Sequence, residues 1–150
     1  MSYTDSATVA NAARNISISS GTNATLTDSQ ATQFITEADQ IINSKLGTVY
    51  FTPLTKITRS NVSKYPDPIP YIATRIAASL MVRAIFSRID PQVSESAEAH
   101  LKDALRELDD LYMGVNMPSR RLEGQLLKSK NNFLNPYSGP LEQPKDNIRI

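Results

Sequence analysis

The stretch PDPIPYIATRIAASLMVRAIF, residues 66–86, limits what this chain can fold into more than any other. Pro66, Pro68 and Pro70 run directly into an almost unbroken apolar segment. Proline lacks an N–H and its ring clashes with the preceding turn, so helix interiors exclude it. The first helical turn is the exception, because its N–H groups have no intrahelical partners. The arrangement therefore predicts a helix launched by prolines, with Asp67 as N-cap and Pro68 at the first helical position. Ile69 precedes a proline and is biased away from helical geometry, so Pro70 is the alternative start. The helix runs to about Arg88, and Pro91 marks its end. Apolar residues wrap most of its circumference and leave a polar strip at Arg75, Ser79 and Arg83. A helix apolar nearly all round is a buried central helix. Arg75, Arg83 and Arg88 within its most apolar window argue against a membrane span.

Two amphipathic helices flank it. In LTDSQATQFITEADQIINSKLG, Thr27 and Gln30 have capping-box spacing. Ala31, Phe34, Ile35, Ala38, Ile41, Ile42 and Leu46 then recur on one side, and Gly47 supplies the C-cap. In SESAEAHLKDALRELDDLYMG, the inner face is Ala97, Leu101, Ala104, Leu105, Leu108, Leu111 and Tyr112, and Gly114 ends the helix. Asp103, Glu107 and Asp110 lie on its outside, a solvated face or a charged contact surface. The fold class expected is all-α: a small bundle of three to four helices around a buried central helix, with extended N- and C-terminal arms.

The rest of the chain lacks helical period. Residues 1–26 are a polar lead-in rich in Ser, Thr and Asn, with room for a short helix from about Asp5 to Arg14 on Val9, Ala12 and Ala13. Nothing there reads as a basic stretch followed by an apolar one, so no secretory signal is expected. Residues 48–66 read as a loop with at most one short strand, since Pro53 interrupts the extended preference of Val49, Phe51 and Ile57. The domain proper thus spans 27–114, and 115–150 reads as an extended arm rich in Pro and Asn. That arm keeps Leu122, Leu126, Leu127, Phe133, Leu134, Tyr137, Ile148 and Ile150. Large apolar residues in such a segment point to docking, and these from Leu126 onward are the candidate contacts with partners or neighbouring copies.

Chemistry is sparse. The net charge is +1, which excludes a chain that binds nucleic acid by bulk charge. There is no Cys and one His, so thiolate and multi-histidine metal sites are excluded. His100 with Asp103 is the one acid–base candidate, and a boundary histidine is the simpler reading. The carboxylate pairs Glu37 with Asp39 and Asp109 with Asp110 point about 160° and about 100° apart on a helix and do not converge on one bond. With five glycines, no phosphate-cradling loop is present. Arg75 and Arg83 can pair with acids of the flanking helices or present a charged face. Arg120, Arg121, Lys128 and Lys130 are slightly better candidates for touching nucleic acid, with solvated charge as the default reading. No catalytic residue, cofactor or metal is expected.

The middle of the chain resembles the head–tail connector proteins of tailed bacteriophages, also called adaptor or head-completion proteins. The likeness rests on ITEADQIINSKLG (Ile35 to Gly47), on PDPIPYIATRIAASLMVRAIF (Pro66 to Phe86) and on AEAHLKDALRELDDLYMG (Ala97 to Gly114), in that order and spacing. It covers roughly residues 26–114. The lead-in and the arm past Gly114 are longer than that family's pattern.

The resemblance implies a structural virion protein, not an enzyme, made in the host cytoplasm and placed at the head–tail junction. Subunits would form a ring with neighbouring copies, usually twelve-fold, on the portal protein. The ring would extend the DNA channel and offer a platform to the stopper or tail protein. DNA would pass through without sequence-specific binding, and no membrane or cofactor would be involved. Within that scheme Leu126, Leu127, Phe133, Leu134, Tyr137, Ile148 and Ile150 are candidate portal or subunit contacts, and Arg75, Arg83, Asp103, Glu107 and Asp110 candidate charged faces of the ring or lumen. The alternative is a small helical nucleic-acid-binding protein.

Overall fold

A computed structural model describes residues 2–13, 27–88 and 90–128. The order of elements is α1 (Ser6–Ala13), α2 (Asp28–Leu46), β1 (Ile57–Arg59), β2 (Val62–Lys64), α3 (Ile69–Phe86) and α4 (Pro91–Met113), followed by two 3₁₀ turns, Gly114–Asn116 and Pro118–Arg120. The fold is the all-α bundle expected, with one small β-hairpin added.

α3 is the central helix. Ile69, Ile72, Ala73, Ile76, Ala77 and Met81 have no exposed surface, and α1, α2 and α4 all pack on it. Its length and apolar composition match a membrane span, and half of it is buried inside the bundle. The launch differs in detail from the sequence reading. The Asp67–Pro68 peptide bond is cis, Pro68 occupies the cap position, and no side chain caps the helix. Asp67 is therefore not the N-cap, and Ile69, not Pro68 or Pro70, is the first helical residue. The Ile69 N–H donates to the Pro66 carbonyl and the Ile72 N–H to the Pro68 carbonyl, both at 3.0 Å, so the prolines remove no hydrogen bond the helix could make.

α2 begins as its sequence dictates. Thr27 Oγ1 accepts the Gln30 N–H at 3.2 Å, and Gln30 Oε1 accepts the Thr27 N–H at 3.0 Å. Ala31, Ile35, Ala38, Ile42 and Leu46 form its buried side. α4 begins earlier than expected. Asp90 caps it by accepting from the N–H groups of Gln92 and Val93, and Pro91 is its first residue. Pro91 thus starts α4 rather than merely ending α3. Ala97, Leu101, Ala104 and Leu108 are buried, and Leu105, Leu111 and Tyr112 pack half-buried against the same core.

The three long helices share one end. Arg75 on α3 binds Glu107 on α4 at 2.6 Å, and Lys45 on α2 binds Asp109 on α4 at 2.5 Å. α3 and α4 are antiparallel, so the close of α2, the start of α3 and the close of α4 meet there. The connecting segments 47–68 and 114–128 cover that end.

In those segments the structure departs furthest from expectation. The loop contains a hairpin, with Ile57 opposite Lys64 and Arg59 opposite Val62. Ser60 and Asn61 turn it with φ of 49° and 64°, the left-handed pair that suits a two-residue hairpin. The tail, read as an arm from residue 115, folds back over residues 115–128. Val115 and Leu122 are buried, the Leu122 N–H donates to the buried Tyr50 hydroxyl at 3.0 Å, and Tyr50 and Leu127 form an antiparallel bridge. Gln125 clasps Thr55 from both sides, its Oε1 accepting the Thr55 N–H and its Nε2 donating to the Thr55 carbonyl. Gly124 makes the turn possible. Its φ is +71°, and a Cβ there would lie 3.0 Å from Ile57.

Candidate functional site

Among the described residues no hydrogen bond joins His100 to an acid or a nucleophile. His100 is exposed on α4 at the rim of a groove between α1, α3 and α4, among Ala78, Val82, Val93 and Ala97. Asp103 does not turn to it and instead accepts from Arg106 Nη1 at 3.1 Å. Asp109 pairs with Lys45, while the exposed Asp110 has no ion pair among the described residues. Among the described residues no group of three metal-ligating side chains occurs. A second groove, between α2 and α4, has an Ile41, Leu105 and Leu108 floor with Glu37, Lys45 and Asp109 around it. Ser44 lines this groove and Ser96 the first, one turn before His100, and among the described residues no hydrogen bond joins either serine to a base.

The buried polar cluster at the N-terminal segment is structural. Tyr3 is almost fully buried and stands edge-on to Tyr65, ring centres 4.8 Å apart. Its hydroxyl donates to Asn43 Oδ1 and accepts the Leu54 N–H at 2.9 Å. Its own N–H donates to Asp39 Oδ1 at 3.1 Å. Burial pushes the Asp39 carboxyl above its ordinary value, an effect the Tyr3 N–H partly offsets. Burial likewise raises the Tyr3 and Tyr65 phenols, with the Asp39 charge adding to both. Thr4 and Thr74 share a hydroxyl–hydroxyl bond of 2.7 Å, which fixes the same segment to α3. The cluster pins residues 3–4 across α2, α3 and the loop before the hairpin. Sequence reasoning missed it, and a lone tyrosine in a Ser/Thr-rich run was its one signal.

The informative surface is the end where the helices meet. Phe51, Val62, Tyr71, Met113, Met117 and Leu126 are the exposed large hydrophobics of the described chain, and all six lie there. The Tyr50–Leu127 bridge explains two of them. Alternation turns Tyr50 and Leu127 toward the core and leaves their neighbours Phe51 and Leu126 side by side on the outer face. Leu126 is 73% exposed. Charge follows the same division. Segments 47–68 and 114–128 carry six basic residues (Lys56, Arg59, Lys64, Arg120, Arg121, Lys128) against Asp67 and Glu123. α4 alone carries six acidic residues against Lys102 and Arg106. The connecting segments are thus basic and α4 acidic, and Asp109 and Asp110 in the last turn of α4 lie at the same end as the bases.

The candidate residues named from the sequence fall into three groups. Leu126 points outward at this end, whereas Leu127 packs inward against the core. Phe133, Leu134, Tyr137, Ile148 and Ile150, with Lys130, lie outside the described residues. Arg75 and Glu107 are engaged with each other, and the Arg75 guanidinium also lies 5.2 Å from the Tyr71 ring centre. Arg83 is half-buried, while Asp103 and Asp110 are exposed along α4. No family model, curated protein or solved structure matches the chain.

Proposed function

We propose that this chain is a structural subunit of the head–tail junction of a tailed bacteriophage. In this reading copies form a ring on the portal, continue the DNA channel, and offer a platform to the stopper or tail protein. One observation carries it. The three segments that resemble connector proteins are α2, α3 and α4, and they pack around the proline-launched α3 as one unit. Their sequence likeness thus coincides with one packed unit. An assembly role also fits the gathering of exposed apolar side chains at one end, which a freely diffusing monomer rarely presents.

The nucleic-acid reading rests on the basic residues of the same end. Phe, Val, Met and Leu side chains stand among those bases. A phosphate-tracking surface gains nothing from the Val, Met and Leu side chains, whereas a protein interface does; only Phe51 and Tyr71, beside Lys128 and Arg75, suit stacking on unpaired bases. Incubation of the purified protein with portal-bearing heads tests the proposal. The protein is expected to co-sediment with heads that carry a portal and not with portal-free shells. Equal recovery from both, or from neither, would overturn it. A steeply salt-dependent shift of duplex DNA in place of head binding would favour the alternative.

A further inference from the structure

One face of the hairpin looks onto a cleft. The register sets Ile57 opposite Lys64 and Arg59 opposite Val62, and alternation turns all four side chains to that face. Thr58 and Ser63 point the other way and share a hydroxyl–hydroxyl bond. The segment after α4 forms the facing wall, with Glu123 bound to Arg59 and Gly124 lying against Ile57. Tyr65, Pro66 and Asp67 close the third side. The cleft has a volume of about 520 Å³, within the range of roughly 300–1,000 Å³ typical of ligand sites. We infer that it binds an extended acidic peptide of a partner protein, with aliphatic side chains beside its carboxylates. The chemistry of the cleft does not depend on the phage reading.

Two cations carry the recognition. Arg121 is held in place, since its Nε donates to the Val115 carbonyl at 2.8 Å and the next residue, Leu122, is tied by its N–H to the Tyr50 hydroxyl. The terminal nitrogens of its guanidinium have no partner among the described residues and are left for a carboxylate, whose geometry the arginine fork matches. Lys64 is likewise without an ion pair among the described residues. The cross-strand rows place Ile57 beside Lys64 and Val62 beside Arg59, and Val62 is 60% exposed. An aliphatic ligand side chain there removes apolar surface from water, so the cleft offers more than charge. The other groups decide the ligand class. Glu123 is neutralised by Arg59, whereas Asp67 has no ion pair among the described residues. A free carboxylate repels a phosphate group but accepts the N–H of a peptide backbone. Tyr65 is buried edge-on against Tyr3, so its ring offers no face for a nucleobase.

Fluorescence anisotropy of a short, capped, labelled peptide of alternating Leu and Glu, titrated with the full chain at low salt, tests this. The peptide is expected to bind, a peptide of alternating Ser and Glu to bind several-fold more weakly, and one of alternating Leu and Lys not to bind. Lys64→Gln and Arg121→Lys are each expected to weaken binding about tenfold, the loss that follows removal of one charge-assisted contact. Lys102→Gln, an equal change of charge on α4, is expected to leave it unchanged. Arg121→Lys also gives up the Val115 bond, so its melting temperature is compared with that of wild type. Lys64→Gln breaks no side-chain bond among the described residues and reads the cleft alone. Absence of binding overturns the inference, as does wild-type affinity in Lys64→Gln or an equal loss in Lys102→Gln. Equal binding of the Ser and Glu peptide would show charge alone at work and also overturns it. Displacement of the peptide by inorganic phosphate or single-stranded DNA at matched charge would assign the cleft to phosphate groups instead.

Discussion

The Tyr50 hydroxyl, fully buried at the base of the bundle, accepts the backbone N–H of Leu122 at 3.0 Å. This bond joins the segment after α2 to the segment after α4, across 72 residues of sequence. It makes residues 115–128 part of the domain. Tyr50→Phe keeps the ring and strands a buried N–H. The expected loss is about 1–3 kcal/mol of stability by urea unfolding. Trypsin cleavage at Arg121, whose Nε is held by the Val115 carbonyl at 2.8 Å, should accelerate in the variant. Unchanged stability and unchanged cleavage would show that the tail is held by other means.

The Arg75–Glu107 pair spans α3 and α4 with the arginine largely covered and the carboxylate more open. Solvent around Glu107 screens the pair, so a double-mutant cycle with Arg75→Met and Glu107→Gln should give a coupling of about 0.5–1 kcal/mol. The coupling should shrink in high salt.

Asp39 gives the stability curve a defined sign. Its carboxyl ordinarily titrates near 3.8, and burial raises it in the folded protein. The folded state therefore holds a proton there that the unfolded chain has released. That contribution is complete below about pH 3.8 and is lost as pH rises through the higher folded value. Asp39→Asn keeps an oxygen for the Tyr3 N–H and removes the charge. The variant should gain stability relative to wild type as pH is raised from 3.5 to 7. A difference independent of pH, measured by urea unfolding at both ends, would contradict the assignment.

Ala77 on α3 is completely buried in the core cluster that also contains Ala104 of α4. With no exposed surface, the Ala77 side chain has no route to solvent for added volume. Ala77→Leu should overpack the core and lower stability by about 1–3 kcal/mol, read as a fall in melting temperature.

The helical core was legible because each helix carries its own signals. Thr27 and Gln30 cap α2 through bonds local in sequence, and the apolar spacing of α2 and α4 declares their inner faces. Local rules misplaced some ends. Pro91 fits both the close of one helix and the start of the next, and Asp90 as its cap decides for the start. Asp67 has the chemistry of a cap, yet the chain turns at Pro68 instead.

The long-range features were not legible. Tyr3 meets Asp39 and Asn43 through contacts some 40 residues apart, which no spacing rule reaches. The hairpin was hidden because Ser60 and Asn61 supply left-handed backbone without the Asn-Gly signature. Leu126 and Leu127 look alike in sequence, and only the bridge to Tyr50 decides that one faces out and the other in. The exposed apolar end is a property of three helix termini meeting, so it exists only once the bundle is built.

The central claim is that this chain completes a phage head–tail junction. The most direct measurement joins purified tails in vitro to portal-bearing heads made without the chain, before and after adding the purified protein, with the junction imaged by electron microscopy. The account predicts that heads accept tails only after the addition, and that a ring of density appears on the portal. Tails that join equally well without it, with no added density at the portal, would contradict the account.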